Sequence, residues 1–182
     1  MTGTHALLFN GLLAIVVLFA ALFDLATRRI PNWLTVSGVV AGFAAHSWLS
    51  GWNGVWTSAA GTGLALAVYV PLYAIRALGA GDVKLMAAVG AMAGPFFWFC
   101  IFVATCLVGG LLALAVVISK RRLIQTLLNT LQIAQALLKG RNPANQEPEM
   151  DFRDPHAVTL PHGVSIAVAA WLAIALGQLH VI

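Results

Sequence analysis

The sequence predicts an all-α polytopic membrane protein with six transmembrane helices and both termini on the outer side. Three observations predict this fold: the composition, the lengths of the apolar runs and the distribution of charge. Of the 182 residues, 60% are hydrophobic and 9% are charged, and the mean hydropathy is +0.90. Soluble domains carry about 25% charged residues, so this chain has too few polar groups to cover a globular surface in water. We therefore expect the lipid bilayer to be its solvent.

The apolar runs define the predicted spans, because about 20 apolar residues are needed to cross the roughly 30 Å of a bilayer. The run 85–119 would form a single helix of about 52 Å, which is too long for one crossing, and Gly94-Pro95 divides it. We predict one membrane domain over residues 1–182. Its spans are residues 5–23, 34–49, 56–78, 85–93, 95–119 and 163–182.

The positive charges support this number of spans. All ten Lys and Arg residues fall within residues 28–29, 76–84 and 120–153. With six spans these segments share one side, and the other side, with both termini, has no Lys or Arg. Basic residues favour the cytoplasmic side of a membrane, so the charged face is predicted to be cytoplasmic.

The segment 120–161 is the longest polar part of the chain. Aliphatic residues at helical spacing fit a helix lying on the cytoplasmic membrane surface, with basic residues at its ends reaching anionic headgroups: Ile124, Leu127, Leu128, Leu131 and Leu138. A helix packed on the protein itself fits equally well. The proline-rich, acidic stretch that follows predicts an exposed loop.

The tryptophans follow the predicted membrane boundaries. Trp48, Trp52, Trp56 and Trp98 lie near the predicted outer face, and Trp33 lies near the inner one. Because tryptophan is enriched at membrane–water interfaces, we interpret all five as interfacial anchors rather than as a ligand site.

Two isolated acids lie at the cytoplasmic ends of predicted spans. Asp24 ends the first span and Asp82 begins the fourth, whereas the other four acids lie in segment 120–161. Ionisable residues at the membrane are costly and are functional candidates by default. The structural alternatives are a helix cap at Asp82 and an i,i+4 pair of Asp24 with Arg28. The matched depth of the two acids favours the functional interpretation.

A pair of carboxylates at one site suits peptide hydrolysis without a metal. Two close carboxylates cannot both ionise easily, so one is ionised and the other is protonated. The ionised member can take a proton from water while the neutral one donates to a carbonyl oxygen. Gly79 and Gly81, beside Asp82, leave room for close approach of another backbone.

The two acids lie in motifs that resemble those of type IV prepilin peptidases, which belong to the GxGD membrane aspartyl proteases. The motifs are DLATRRIPN, residues 24–32, and GAGDVKL, residues 79–85. The resemblance implies that Asp24 and Asp82 are the catalytic pair. It also implies that Gly79 and Gly81 are motif glycines and that Lys84 orients or balances Asp82.

The resemblance further implies an aspartic-type endopeptidase of the bacterial inner membrane that removes the basic leader of a prepilin at the cytoplasmic face. Larger members add a methyltransferase activity and paired CxxC motifs. This chain has only Cys100 and Cys106, both within one apolar run. It therefore resembles the short, peptidase-only type that serves Tad or Flp pili.

The expected partners are the prepilin, the lipid bilayer and, through segment 120–161, the pilus assembly machinery; no nucleic acid is expected. The five histidines form no paired metal-binding motif, so no metal or cofactor is predicted. His162, near the predicted cytoplasmic face, is interpreted as an interfacial residue.

Three alternatives to the bacterial prepilin peptidase are open at the level of sequence. The first is an archaeal preflagellin-type peptidase, which the motifs do not distinguish from the bacterial Tad type. The second is a proton-coupled transporter that uses the two acids as relay groups. The third is a membrane assembly factor in which both acids are structural.

Overall fold

A computed structural model describes residues 3–119 and 162–179, and the elements in these ranges are helices. They are α1 (Gly3–Thr27), α2 (Asn32–Ala74), α3 (Ala80–Ser119) and α4 (His162–Leu179). The predicted all-α class is confirmed. The predicted surface helix and exposed loop of segment 120–161 lie outside the described residues.

Helices α2 and α3 are each divided by a glycine with a left-handed backbone. Gly51 has φ 56°, and Gly94 has φ 72° with ψ 173°. Residues with a side chain rarely adopt these conformations. Both glycines lie where the sequence places a boundary between predicted spans.

The chain folds back on itself at both glycines. The Ser58 hydroxyl donates to the carbonyl oxygen of Gly42 at 3.3 Å. The indole N–H of Trp98 donates to the carbonyl oxygen of Met86 at 3.2 Å. In a straight helix these residue pairs would be about 24 Å and 18 Å apart along the axis. The described chain therefore has six helical segments, in the order that the sequence predicts.

Three of the helices are long and apolar enough to cross a membrane: Leu7–Thr27, Asn32–Ala74 and Ala80–Ala115. The apolar part of α4, His162–Gly177, is shorter. Large apolar side chains are exposed along all four helices, as lipid-facing surfaces require. These features indicate a multi-pass membrane protein. Six crossings and the outer position of both termini stay predictions.

The segment 80–93 of α3 is the central element of the bundle. From Val83 to Met92 every side chain except Lys84 is buried. Gly42 of α2 lies against its backbone, and a Cβ at Gly42 would be 2.7 Å from the carbonyl carbon of Ala91. Small residues at such contacts let transmembrane helices approach closely. The segment that carries Asp82 is thus surrounded by other helices.

Trp98 is a core residue, so its interpretation as an interfacial anchor is wrong. It is fully buried and stacks on Phe102 with 5.4 Å between ring centroids. The turn at Gly94 brings its indole N–H to the Met86 carbonyl, so the polar group is satisfied inside the protein. The other four tryptophans predicted as anchors are exposed, as anchors should be.

Candidate active site

One end of the bundle gathers the end of α1 and the starts of α2, α3 and α4. Hydrogen bonds across this end join α1 to α4 and α2 to α3. The four Lys and Arg residues of the described chain lie here or in the adjoining loops: Arg28, Arg29, Arg76 and Lys84. Both isolated acids lie at this end as well.

Asp24 lies in the last turn of α1 and contacts the first turn of α4. Its side chain is 8% exposed, and its Oδ2 accepts a hydrogen bond of 2.9 Å from the backbone N–H of Gly163. A Cβ at Gly163 would lie 2.9 Å from the same oxygen. The absence of a side chain at residue 163 therefore allows this contact.

Asp82 lies in the first turn of α3 and is half-buried. The Gly79 carbonyl accepts the backbone N–H groups of Asp82 and Val83, so Gly79 precedes the helix as its N-cap. Asp82 Oδ2 accepts from the Gly79 N–H at 3.2 Å, which is the backward half of a capping box. The interpretation of Asp82 as the N-cap is therefore wrong, because Gly79 is the N-cap and Asp82, at the third helical position, caps the N–H of Gly79 instead. This cap engages one carboxylate oxygen.

Asp24, Asp82 and His162 lie at the same end of the bundle. Asp24 and His162 both act electrostatically on Asp82, and His162 adjoins the glycine that binds Asp24. The His162 ring lies 6.4 Å from the Tyr69 ring. Its Nε2 is buried with no hydrogen-bond partner within the described ranges. The interpretation of His162 as an interfacial residue therefore omits its electrostatic interaction with Asp82.

The two sequence motifs are in direct contact. A Cβ at Gly81 would be 3.3 Å from the Cβ of Ile30, and Lys84 Nζ donates to Asn32 Oδ1 at 2.8 Å. Gly81 thus gives room to the Ile30 side chain, and Lys84 fixes the start of α2 against α3. The predicted action of Lys84 on Asp82 stays a prediction, because the observed hydrogen bond goes to Asn32.

A double-mutant cycle separates these two roles of Lys84. If Lys84 acts through Asn32, we expect Asn32→Ala and Lys84→Ala to slow peptide cleavage by similar factors, with no further loss in the double variant. If Lys84 instead acts on Asp82, the two losses multiply. The measurement is the initial rate of substrate cleavage at equal amounts of folded enzyme.

Gly163 is the site residue that the sequence analysis did not identify. The available signal was the order Pro161-His162-Gly163 at the start of the last apolar run, with a glycine in a first helical turn. Sequence order alone does not show which distant carboxylate such a glycine contacts. Among the described residues, no group of three or more His, Cys, Asp and Glu could hold a metal ion.

A family model matches the part of the chain that carries both motifs. The model of the type IV leader peptidase family matches residues 11–114, which is more than half of the 182 residues. The chain belongs to the type IV leader peptidase family. The resemblance to type IV prepilin peptidases is thereby confirmed, and the family supports a leader peptidase function.

The other comparisons add no relative of this leader peptidase, because no curated protein sequence and no solved structure matches it significantly. The matched range of the leader peptidase includes Asp24 and Asp82 and ends before α4. The Gly163 contact with Asp24 therefore comes from a part of the chain outside the match.

Proposed function

We propose that this leader peptidase removes the basic leader of a Flp-type prepilin at the cytoplasmic face of the bacterial inner membrane. The observation that carries the proposal is that Asp24 and Asp82, from two helices, lie at the same end of the bundle, within electrostatic range of each other. Family membership supplies the reaction class. The two acids are the groups at this end that can perform it without a metal.

In the proposed mechanism, ionised Asp24 takes a proton from a water molecule, and the resulting hydroxide attacks the carbonyl carbon of the scissile peptide bond. Protonated Asp82 donates its proton to the carbonyl oxygen as the tetrahedral intermediate forms. Collapse of the intermediate breaks the C–N bond: the departing nitrogen takes the proton held by Asp24, and one hydroxyl of the intermediate returns its proton to Asp82 as the carbonyl forms again. General acid and base groups of this kind each contribute about 10²–10⁴-fold to a rate.

The basic residues at the acid-containing end support a cytoplasmic site. Lys and Arg accumulate on the cytoplasmic side of membrane proteins, and those of the described chain lie at this end. An active site at the membrane edge admits water, and it also lets the apolar helix of a prepilin approach through the lipid. The leader, which is hydrophilic, then stays on the cytoplasmic side.

The transporter alternative has less support. Transporter sites typically lie near the midplane of the bilayer, whereas Asp24 is in the last turn of α1 and Asp82 is in the first turn of α3. The family match also favours hydrolysis over transport.

Cleavage by the purified enzyme in lipid vesicles tests the proposal. We expect a Flp-type prepilin to be cut once, before its apolar helix, with the new N-terminus identified by mass spectrometry. Because no metal takes part, a chelator should leave the rate unchanged within about twofold. With a methyl donor present, the new N-terminus should stay unmethylated.

A preflagellin of the same length serves as the comparison substrate. Faster cleavage of the preflagellin would replace the Flp-type assignment with the archaeal type. Failure to cut either substrate, with folded enzyme in the vesicles, would contradict the peptidase proposal itself.

A further inference from the structure

The first turn of α4 contacts the side chain of Asp24 through Gly163, with the backbone N–H of Gly163 2.9 Å from Asp24 Oδ2. We infer that Gly163 is a positioning residue that holds the Asp24 carboxylate in place for its role as the general base, and that α4 therefore completes the active site. The inference rests on the proposed two-aspartate function and names a positioning residue within it.

The N–H contact fixes one oxygen of the Asp24 carboxylate. Backbone N–H groups at a helix start carry partial positive charge and stabilise a nearby anion, and hydrogen bonds to an ionised acceptor are stronger than neutral ones. Since Asp24 is 8% exposed, water does not readily replace this donor. The general base must be ionised before it can take a proton from water.

The missing side chain at residue 163 is as important as the N–H. A Cβ there would lie 2.9 Å from Asp24 Oδ2, 3.1 Å from its Cβ and 3.2 Å from its Cγ. Three atoms of one short side chain would have to move together, because aspartate has no flexible end that can turn aside. The carboxylate would rotate away from its observed position, or α4 would shift.

Asp82 is held differently. Its Oδ2 accepts a hydrogen bond from the N–H of Gly79, which is only three residues earlier in the chain. This contact is therefore local and does not depend on how the other helices pack. Asp24 depends on a residue that is 139 positions away. The geometry of the pair therefore depends on how α4 is seated, which is a tertiary property.

Gly163→Ala tests the steric part, with Gly177→Ala as the matched control. Gly177 lies on the same helix, and a Cβ there would be 3.1 Å from the Phe97 ring, a similar crowding away from the acids. A displacement of about 1 Å at a reacting group can cost about 10²-fold in rate. We expect Gly163→Ala to lower kcat by about 10–100-fold with KM unchanged within about twofold, and Gly177→Ala to keep wild-type kcat.

A backbone ester tests the hydrogen bond without adding any atoms. Glycolic acid in place of Gly163, introduced by semisynthesis of the C-terminal segment, removes the N–H and leaves the residue without a side chain. We expect kcat to fall about tenfold, as loss of a hydrogen bond to a charged group implies. This variant keeps the test decisive if Gly163→Ala fails to fold.

The outcomes separate this inference from the function on which it rests. If Asp24→Asn and Asp82→Asn are inactive while the ester variant retains wild-type kcat, the Gly163 N–H does not position Asp24 and the inference is wrong, but the two-aspartate function stands. If the ester variant changes KM alone, Gly163 serves substrate binding and does not position Asp24, so the inference is wrong. If Asp24→Asn is active, the proposed function and the inference both fail.

Discussion

Asp24→Asn and Asp82→Asn are each expected to reduce prepilin cleavage by at least about 10³-fold while the protein stays folded in the membrane. Neither asparagine can hold the charge or exchange the proton that the reaction requires. Acid and base catalysis contribute about 10²–10⁴-fold each, and groups that act as a unit lose most of their joint effect when one is removed. We therefore expect the double variant to be no slower than the worse single variant.

The observed hydrogen bonds make asparagine an informative replacement at both positions. Asp24 Oδ2 accepts from the Gly163 N–H, and Asp82 Oδ2 accepts from the Gly79 N–H. In each variant the side-chain carbonyl oxygen of asparagine can accept the bond that the aspartate accepted. The contact of residue 24 with α4 and the cap of residue 82 on α3 are therefore kept. Alanine at either position removes the acceptor, and we expect the alanine variants to lose stability as well as activity.

The measurement is cleavage of a co-expressed prepilin, with the amount of each variant in the membrane fraction and its thermal unfolding in detergent as controls. The asparagine variants should unfold within about 2 °C of the wild type. Near wild-type cleavage by Asp82→Asn would mean that Asp82 is a helix cap only, and the two-aspartate mechanism would be wrong.

Local sequence signals predicted the helical segments well. The break at Gly94-Pro95 was predicted because glycine and proline end helices, and the structure folds back there. The helix α3 begins at Ala80, ahead of the predicted span 85–93, because Gly79 caps the helix. A hydropathy boundary falls at the first polar residue, whereas a helix begins where its first N–H groups find an acceptor.

The candidate site was predictable only at residues whose type is rare in apolar runs. Asp24 and Asp82 stand out because charges are rare in apolar runs. Gly163 carries no such signal, since its role follows from a contact with a residue 139 positions away. Trp98 was misinterpreted for a related reason, because the turn at Gly94 supplies its indole with a buried acceptor that the sequence does not reveal.

Gly61→Ala is expected to destabilise the fold strongly, because Gly61 and Gly90 meet at a backbone contact between α2 and the central segment of α3. A Cβ at Gly61 would overlap the carbonyl oxygen of Gly90, and a Cβ at Gly90 would overlap the carbonyl oxygen of Gly61. A backbone cannot turn aside as a side chain can, so the helices must separate. Overpacking typically costs about 1–3 kcal/mol, and we expect about 3 kcal/mol here.

Gly63→Ala is the matched control on the same segment. A Cβ at Gly63 meets no atom within 4 Å, and alanine is the better helix former by about 0.5–1 kcal/mol. For a chain of this size about 3 kcal/mol corresponds to a fall in Tm of roughly 6–12 °C, so Gly61→Ala should unfold well below the wild type in detergent. Gly63→Ala should unfold at or slightly above the wild-type temperature.

The same contact predicts that Gly61→Ala and Gly90→Ala are not additive. Once the helices have separated to admit one methyl group, the second methyl costs less, so the double variant should lose less stability than the two single losses combined. Equal Tm values for Gly61→Ala and Gly63→Ala would mean that the segment 80–93 does not lie against α2 as observed. Because that segment carries Asp82, its position beside Asp24 would then lose its structural basis.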